Sequence, residues 1–203
     1  MAKSHKIGIM GGTFDPIHAG HLITAEAVRD AMGLATVLFI PAATPPHKLD
    51  QSVTPARHRL LMTELAVCSN PHFRVSDIEL RRKGPSYTID TIHELQQIYP
   101  AGTEFYFFTG ADAINDLATW HEADKLLAEC HFITATRQGT VLDTAGLRAR
   151  FGAAGMAHIH HIETPQLEIS STAIRERIQR GQSIRYLVPQ AVQEYIEKEG
   201  LYR

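Results

Sequence analysis

The sequence predicts an α/β protein whose doubly wound parallel sheet forms a single domain of 203 residues. Apolar runs alternate with helical patterns for most of the length, and short segments connect them. Such alternation favours a parallel sheet with helices on both faces. The length suffices to bury a core, and the chain contains no repeats or domain linkers, so one domain over residues 1–203 is expected.

The predicted strands are the six apolar runs. They cover Lys6–Met10, Thr36–Ala42, Phe73–Leu80, Glu104–Thr109, His131–Thr136 and Ala157–Ile162. Ligands of open α/β sheets bind beyond the carboxyl ends of the strands, where the strand order reverses. We therefore expect the chemistry in the loops after the first, second, fourth and fifth strands.

The predicted helices carry apolar side chains at helical spacing. They cover His21–Met32, a helix that opens at Thr54-Pro55, Thr88–Ile98, Glu122–Glu129, Thr172–Arg180 and Pro189–Glu199. Thr54 is expected as a cap with Pro55 at the first helical position, and Gly33 as the end of the first helix. Val141–Phe151 is ambiguous, with helix slightly favoured. The last two helices form a C-terminal helical part from about residue 170.

Composition argues against several classes of protein. Lysine and arginine total 20 against 22 acidic residues, so no large basic field is available for a nucleic acid. No apolar run reaches membrane-spanning length, and the N-terminus lacks the apolar region of a signal peptide. Cys68 and Cys130 lie far apart and form no CxxC, which favours a reducing cytoplasm. The sequence leaves the oligomeric state open.

The first motif lies between the first strand and the first helix and reads Gly11-Gly12-Thr13-Phe14-Asp15-Pro16-Ile17-His18-Ala19-Gly20-His21. Its glycines allow close approach of a phosphate. His18 and His21 are three residues apart at the helix start, where imidazoles and backbone N–H groups can receive phosphate oxygens. A lone histidine there is more often a cap or a surface residue, and the GxGxxG of dehydrogenases is absent. The combination indicates a phosphate site.

The second motif precedes the penultimate helix and reads Ile169-Ser170-Ser171-Thr172-Ala173-Ile174-Arg175. Three consecutive hydroxyl residues at a helix start offer caps and hydrogen-bond donors to an anion. Arg175 adds a fixed charge one turn inside the helix. The alternative is an ordinary helix cap with Arg175 on a solvated face.

The two motifs resemble the HxGH and ISSTxIR signatures of a nucleotidyltransferase superfamily, and more closely those of the bacterial nicotinate-nucleotide adenylyltransferases. The resemblance covers essentially the whole chain and is dense only at the motifs. It implies a Rossmann-like nucleotidyltransferase fold. It also implies transfer of AMP from ATP to nicotinate mononucleotide, which gives deamido-NAD and pyrophosphate in NAD biosynthesis.

The resemblance also implies which residues contact ATP. His18, His21 and Arg175 would contact the triphosphate and support the departing pyrophosphate. The expected ATP-binding residues are Gly11, Gly12, Thr13, Phe14, His18, His21, Gly110, Asp112, Arg137, Ile169, Ser170, Ser171, Thr172 and Arg175. Arg137 stands in Thr-Arg-Gln-Gly, where the family commonly has Arg-Pro-Gly. We expect Mg²⁺ to arrive with ATP and no dedicated protein metal site.

Two segments are expected on the acceptor side. By resemblance, Lys48 with His47 meets the acceptor phosphate, although a lysine in a loop is often only solvated. Thr88 follows Gly84-Pro85-Ser86-Tyr87, and the resemblance implies that groups at Thr88 hold the pyridine carboxylate. Helix capping alone is the alternative for this segment.

A third acceptor segment is similar to the family's GADxxxxLxxW and runs from Gly110 to Trp120. The resemblance implies that Trp120 stacks on the nicotinate ring, whereas a single tryptophan is usually core packing. Asp112 could bond ribose hydroxyls or cap a helix. His121 stands where the family often has an aromatic or varied residue, and its backbone N–H could serve the carboxylate.

Three further histidines, His158, His160 and His161, lie near the sixth strand. His158 and His160 are expected to share a face because strand residues alternate. No cysteine or carboxylate framework accompanies them, which favours solvated strand-end histidines over a metal site.

No catalytic nucleophile is evident in the sequence. None is needed, because an acceptor phosphate can attack the α-phosphorus of ATP directly. The alternatives are another acceptor, such as nicotinamide mononucleotide or pantetheine phosphate, and a nucleotide-binding protein without catalysis.

Overall fold

The computed structural model describes residues 5–43, 53–82, 84–136, 142–165 and 167–203. Six strands form one sheet in the order β3-β2-β1-β4-β5-β6, and every neighbouring pair is parallel. They are β1 (Lys6–Gly12), β2 (Thr36–Pro41), β3 (Phe73–Val75), β4 (Glu104–Thr109), β5 (His131–Thr136) and β6 (Ile159–Glu163). The strand order reverses between β1 and β4, so a crevice opens at their carboxyl ends. The predicted doubly wound sheet is confirmed.

Helices cover both faces of this sheet. Within the described ranges they are α1 (Ala19–Met32), α2 (Ala56–Val67), α3 (Thr88–Ile98), α4 (Ala111–Asn115), α5 (Ala123–Glu129), α6 (Thr144–Met156), α7 (Ser171–Gln179) and α8 (Gln190–Glu199). The core cluster on one face takes its helical residues from α1, α2, α7 and α8, and that on the other from α3 to α6. Val37 and Phe39 join the first cluster while Leu38 and Ile40 join the second, as strand alternation requires.

Several predicted boundaries were wrong. The third strand ends at Val75 rather than Leu80, because a 3₁₀ helix over Ile78–Arg81 follows, with the carbonyl of Asp77 accepting from two of its N–H groups. The five residues of α4 are too few for periodicity to reveal. Thr54 does not cap α2, because the N-cap is Pro55, whose carbonyl accepts from the backbone N–H groups of His58 and Arg59.

From Thr144 onward, the ambiguous stretch before β6 is helical. Helix α6 spans Thr144–Met156, and its N-cap Asp143 accepts a hydrogen bond from the backbone N–H of Gly146. Gly152 breaks the helical backbone with φ 66°. None of the helices in the described ranges combines the length and the apolar character needed to cross a lipid bilayer.

Candidate active site

A cleft of about 300 Å³ opens where β1 and β4 end. Both sequence motifs reach it. Its lining includes Gly11, His18, Gly20 and His21 from the first motif, Ile169, Ser170 and Ser171 from the second, and Gly110 after β4. The N-terminal turns of α1 and α7 therefore contribute to one cleft, and helix N-termini carry partial positive charge.

The two histidines of the first motif are stacked. Their ring centroids lie 3.7 Å apart, and the rings are inclined by 29°. His18 is the N-cap of α1, and its backbone N–H donates to Nδ1 of His21 at 3.2 Å. His18 is buried and His21 half-buried. This hydrogen bond and a T-shaped contact with Phe14, whose ring centroid lies 5.2 Å from that of His21, fix the orientation of the pair.

Close packing explains two glycines of the first motif. A Cβ at Gly20 would lie 3.1 Å from the His18 ring, so a side chain there would push the imidazole. A Cβ at Gly12 would lie 2.9 Å from the Phe14 ring. Gly11 and Gly12 still belong to β1, pairing with Ile40 and Pro41, so the expected loop begins two residues later than predicted.

The second motif bonds directly to the first. Ser171 Oγ donates to the carbonyl of Pro16 at 2.9 Å, and Arg175 Nη1 donates to the carbonyl of Asp15 at 2.7 Å. Ser170 caps α7 by accepting from the backbone N–H of Ala173. These two hydrogen bonds join residues that are 155 and 160 positions apart in the sequence, so they hold the two motifs against each other.

Only some of the predicted ATP residues line the cleft. The cleft is lined by seven of them: Gly11, His18, His21, Gly110, Ile169, Ser170 and Ser171. Gly12 is the last residue of β1, Thr13 and Phe14 lie in the loop that follows, and Thr172 in the first turn of α7 accepts a hydrogen bond from Arg175 at 3.3 Å. Asp112 does not line the cleft and is exposed in the first turn of α4. Arg137 lies outside the described residues.

The predicted acceptor residues that lie in the described part of the chain do not line this cleft. Thr88 is half-buried as the first residue of α3, and the preceding Tyr87 stacks on His121 with ring centroids 4.4 Å apart. Trp120 is half-buried, with its ring edge-on to Phe107 at 6.0 Å and to Phe132 at 5.8 Å. Core packing is therefore at least part of its role. His47 and Lys48 lie outside the described residues.

The sequence reasoning missed several residues around the site. Thr24, Thr164, Pro165 and Leu167 also line the cleft. Thr24 could have been found, because it lies three residues after His21 and so on the same face of α1. Arg59 was missed too, although it shares a helical face with the buried Met62, Thr63 and Ala66.

Comparison with known proteins gives consistent results. The model of the Cytidylyltransferase-like family matches residues 9–177. A protein of Moorella thermoacetica named "Probable nicotinate-nucleotide adenylyltransferase" is 52% identical over 204 residues, covering 100% of this chain and 94% of the relative. One of Thermoanaerobacter sp. with the same name is 49% identical over 208 residues, covering 100% and 97%.

A solved structure shares the fold. The Plasmodium falciparum nicotinic acid mononucleotide adenylyltransferase complexed with NaAD aligns with a TM-score of 0.77 at 24% identity, covering 98% of this chain and 97% of that one. At this identity the likeness bears on the fold alone. The family model and the full-length similarity to the bacterial relatives support one conclusion: the chain belongs to the nicotinate-nucleotide adenylyltransferases of the Cytidylyltransferase-like family.

Proposed function

We propose that the chain transfers AMP from ATP to nicotinate mononucleotide, with release of pyrophosphate and formation of deamido-NAD. The observation that carries the proposal is the convergence of the N-terminal turns of α1 and α7, with His18 and His21, on one cleft. Such an arrangement suits a polyphosphate, because N–H groups, imidazoles and helix dipoles all favour negative charge.

The transfer needs no nucleophile from the protein. An oxygen of the acceptor phosphate attacks the α-phosphorus, and the bond to the bridging oxygen breaks with its electron pair leaving on pyrophosphate. His18 and His21 would neutralise charge on the triphosphate and on pyrophosphate. Arg175 keeps the first motif in place through Asp15, and its guanidinium has five N–H donors, enough to contact a phosphate oxygen as well.

The acceptor would be held by residues beside the cleft. In this proposal Thr88, at the start of α3, and the backbone N–H of His121 receive the carboxylate, and Trp120 contacts the pyridine ring. Lys48 with His47 would meet the acceptor phosphate, and Asp112 the ribose hydroxyls. The stacking of Tyr87 on His121 supports a shared role for Thr88, Trp120 and His121, because it brings the start of α3 next to the residue after Trp120.

The proposal includes Mg²⁺ bound to ATP and a cytoplasmic location. The cleft offers imidazoles, hydroxyls and N–H groups, which suit phosphate rather than Mg²⁺. In the described part of the chain, no group of three or more His, Cys, Asp or Glu residues is arranged to hold a metal ion. Mg²⁺ would therefore be coordinated mainly by phosphate oxygens and water.

The test is a parallel assay of the purified protein with ATP, Mg²⁺ and one of three acceptors: nicotinate mononucleotide, nicotinamide mononucleotide or pantetheine phosphate. Pyrophosphate release and dinucleotide formation are followed together. We expect strong preference for the nicotinate acceptor, since a site built for a carboxylate leaves its donors unpaired with an amide. Preference for another acceptor would refute the assignment, and ATP binding without turnover would indicate a non-catalytic binder.

A further inference from the structure

A tyrosine that follows α8 bonds to a buried carboxylate of the first motif. The hydroxyl of Tyr202 donates to Oδ1 of Asp15 at 2.6 Å, across 187 positions of sequence. Asp15 is 5% exposed. Burial and this hydrogen bond to the Asp15 carboxylate raise the Tyr202 pKa, so the hydroxyl keeps its proton and remains the donor. The bond is therefore charge-assisted, the stronger kind of hydrogen bond.

The backbone of Tyr202 is held in an unfavourable conformation. Helix α8 ends at its C-cap Gly200, and Tyr202 then has φ 67°. This left-handed region is costly for a residue with a side chain and persists only where the surroundings fix it. The ring of Tyr202 packs against the core cluster formed by α1, α2, α7 and α8. Contacts of the side chain therefore offset the strain of the backbone.

Asp15 is also tied to two other parts of the chain. Its Oδ2 accepts from the backbone N–H of Thr54 at 3.2 Å, and its carbonyl accepts from Arg175 in α7. The buried Arg59 of α2 donates to four backbone carbonyls, those of Thr13 and Thr54 among them. The stretch from Thr13 to Asp15 is therefore held at both ends.

This stretch supports the two histidines of the cleft. Phe14 lies between the two held residues, and its ring makes the T-shaped contact with His21. His18, three residues after Asp15, is the N-cap of α1 and stacks on His21. Asp15 itself is not among the described residues that line the cleft. A shift of Asp15 would thus reach the cleft through Phe14 and the start of α1.

We propose that Tyr202 is a positioning residue for ATP: its hydroxyl holds the Asp15 carboxylate and thereby keeps the two histidines of the first motif in the orientation that receives the triphosphate. The inference rests on the proposed function, because it takes the cleft as the ATP site. It adds that ATP use depends on a side chain outside the cleft. Acceptor use depends on it less, since Thr88 begins α3 and Trp120 packs against the core cluster of the other face.

The test replaces Tyr202 by phenylalanine, which removes the hydroxyl and keeps the ring. Binding of ATP with Mg²⁺ is measured by titration calorimetry without acceptor. We expect the Kd for ATP to rise roughly 3- to 10-fold, part of what the loss of a hydrogen bond to a charged group costs. In the full reaction KM for ATP should rise by a similar factor, while KM for nicotinate mononucleotide should change less than about twofold, as expected for a separate site.

The matched control is Tyr195→Phe. It removes another tyrosine hydroxyl from the same part of the chain, one that lies 2.7 Å from Nδ1 of His58 in α2. The Kd for ATP should stay within about 1.5-fold, because this contact is separate from the first motif. Urea unfolding gives the conditions under which both variants are fully folded. An equal rise in both variants, or an unchanged Kd in Tyr202→Phe, would overturn the positioning role.

A double-mutant cycle tests whether Tyr202 acts through Asp15. Asp15→Asn removes the charge that strengthens the bond, so adding Tyr202→Phe to it should raise the Kd for ATP by less than about twofold. A further rise as large as that in the unmodified protein would overturn action through Asp15. If the unmodified protein binds ATP but forms no dinucleotide, the proposed function is refuted, and the ATP-binding comparison still decides the role of Tyr202.

Discussion

Two groups of histidines lie at opposite ends of the same sheet and have different surroundings. His18 and His21 follow the carboxyl end of β1 and line the cleft at the start of α1. His131, His158 and His160 lie at the amino ends of β5 and β6. There the rings of His131 and His158 stack at 4.5 Å, and His160 Nε2 lies 3.0 Å from His131 Nδ1.

The second group is a packed structural cluster. Burial is the main cause that lowers the pKa of His131 to about 4, and the neighbouring His158 and His160 lower it further. Burial likewise lowers the pKa of His160. Tyr106 stacks on the other side of His131 at 4.6 Å, with Lys6 near its ring and Glu104 accepting from its hydroxyl. The expectation of solvated histidines was therefore wrong for His158 and His160, which are half-buried, because β5 brings His131 against them.

The difference teaches that position in the sheet, rather than residue type, indicates the role of a histidine cluster. Carboxyl ends of parallel strands meet helix N-termini, where anions are favoured. The amino ends offer no such feature, and their aromatic rings pack against one another.

The largest effect is expected from His21→Ala. Loss of one group that stabilises transition-state charge typically lowers kcat by about 10²–10³-fold, so we expect a loss of that order with the fold intact by circular dichroism. His160→Ala makes the same substitution at the other end of the sheet and should keep kcat within about twofold, as a contact distant from the reacting atoms should. Equal losses of kcat in the two variants would contradict the different roles assigned to the two histidine groups.

A smaller effect is expected from Arg175→Lys. Lysine keeps the charge but cannot reproduce the fork that bonds Asp15 and Thr172. We expect kcat/KM for ATP to fall roughly 10- to 100-fold, in line with the loss of charge-assisted bonds. Arg180→Lys, at the exposed end of α7, serves as control. Normal ATP kinetics in Arg175→Lys would show that Arg175 only supports the fold and does not contact ATP.

Trp120→Ala should act mainly on the acceptor. Loss of an aromatic stacking contact is worth about 0.5–1.5 kcal/mol, so KM for nicotinate mononucleotide should rise about two- to tenfold. Phe151→Ala is a matched control, because Phe151 packs against the same core cluster. A similar KM in both variants would assign Trp120 to the core alone.

The smallest effect concerns acid stability. His131 titrates near 4 in the folded protein and near 6.5 when unfolded, so the unfolded chain binds more protons between those values. Stability should therefore fall as the pH drops from 6.5 to 4. His131→Phe should flatten that dependence by about 1 kcal/mol, allowing for solvent screening, in urea unfolding at several pH values. His72→Phe, at an exposed position, should leave the dependence unchanged.

Local chemistry was predictable and long-range contacts were not. The first motif was found because its glycines and histidines are adjacent in sequence, and the doubly wound parallel sheet was predicted from strand–helix alternation. The third strand was predicted too long because apolar residues of the 3₁₀ helix, such as Ile78, also fit a strand. Arg59 was missed because its four acceptors lie 5 to 46 residues away in the chain.

The central claim is direct transfer of AMP from ATP to nicotinate mononucleotide. The measurement that tests it most directly is a single-turnover reaction with excess protein, Mg²⁺, nicotinate mononucleotide and ATP radiolabelled at the α-phosphate. If transfer is direct, the label moves from ATP into deamido-NAD at the rate of pyrophosphate release, with none on the protein. Label on the protein, or pyrophosphate release without labelled dinucleotide, would contradict it.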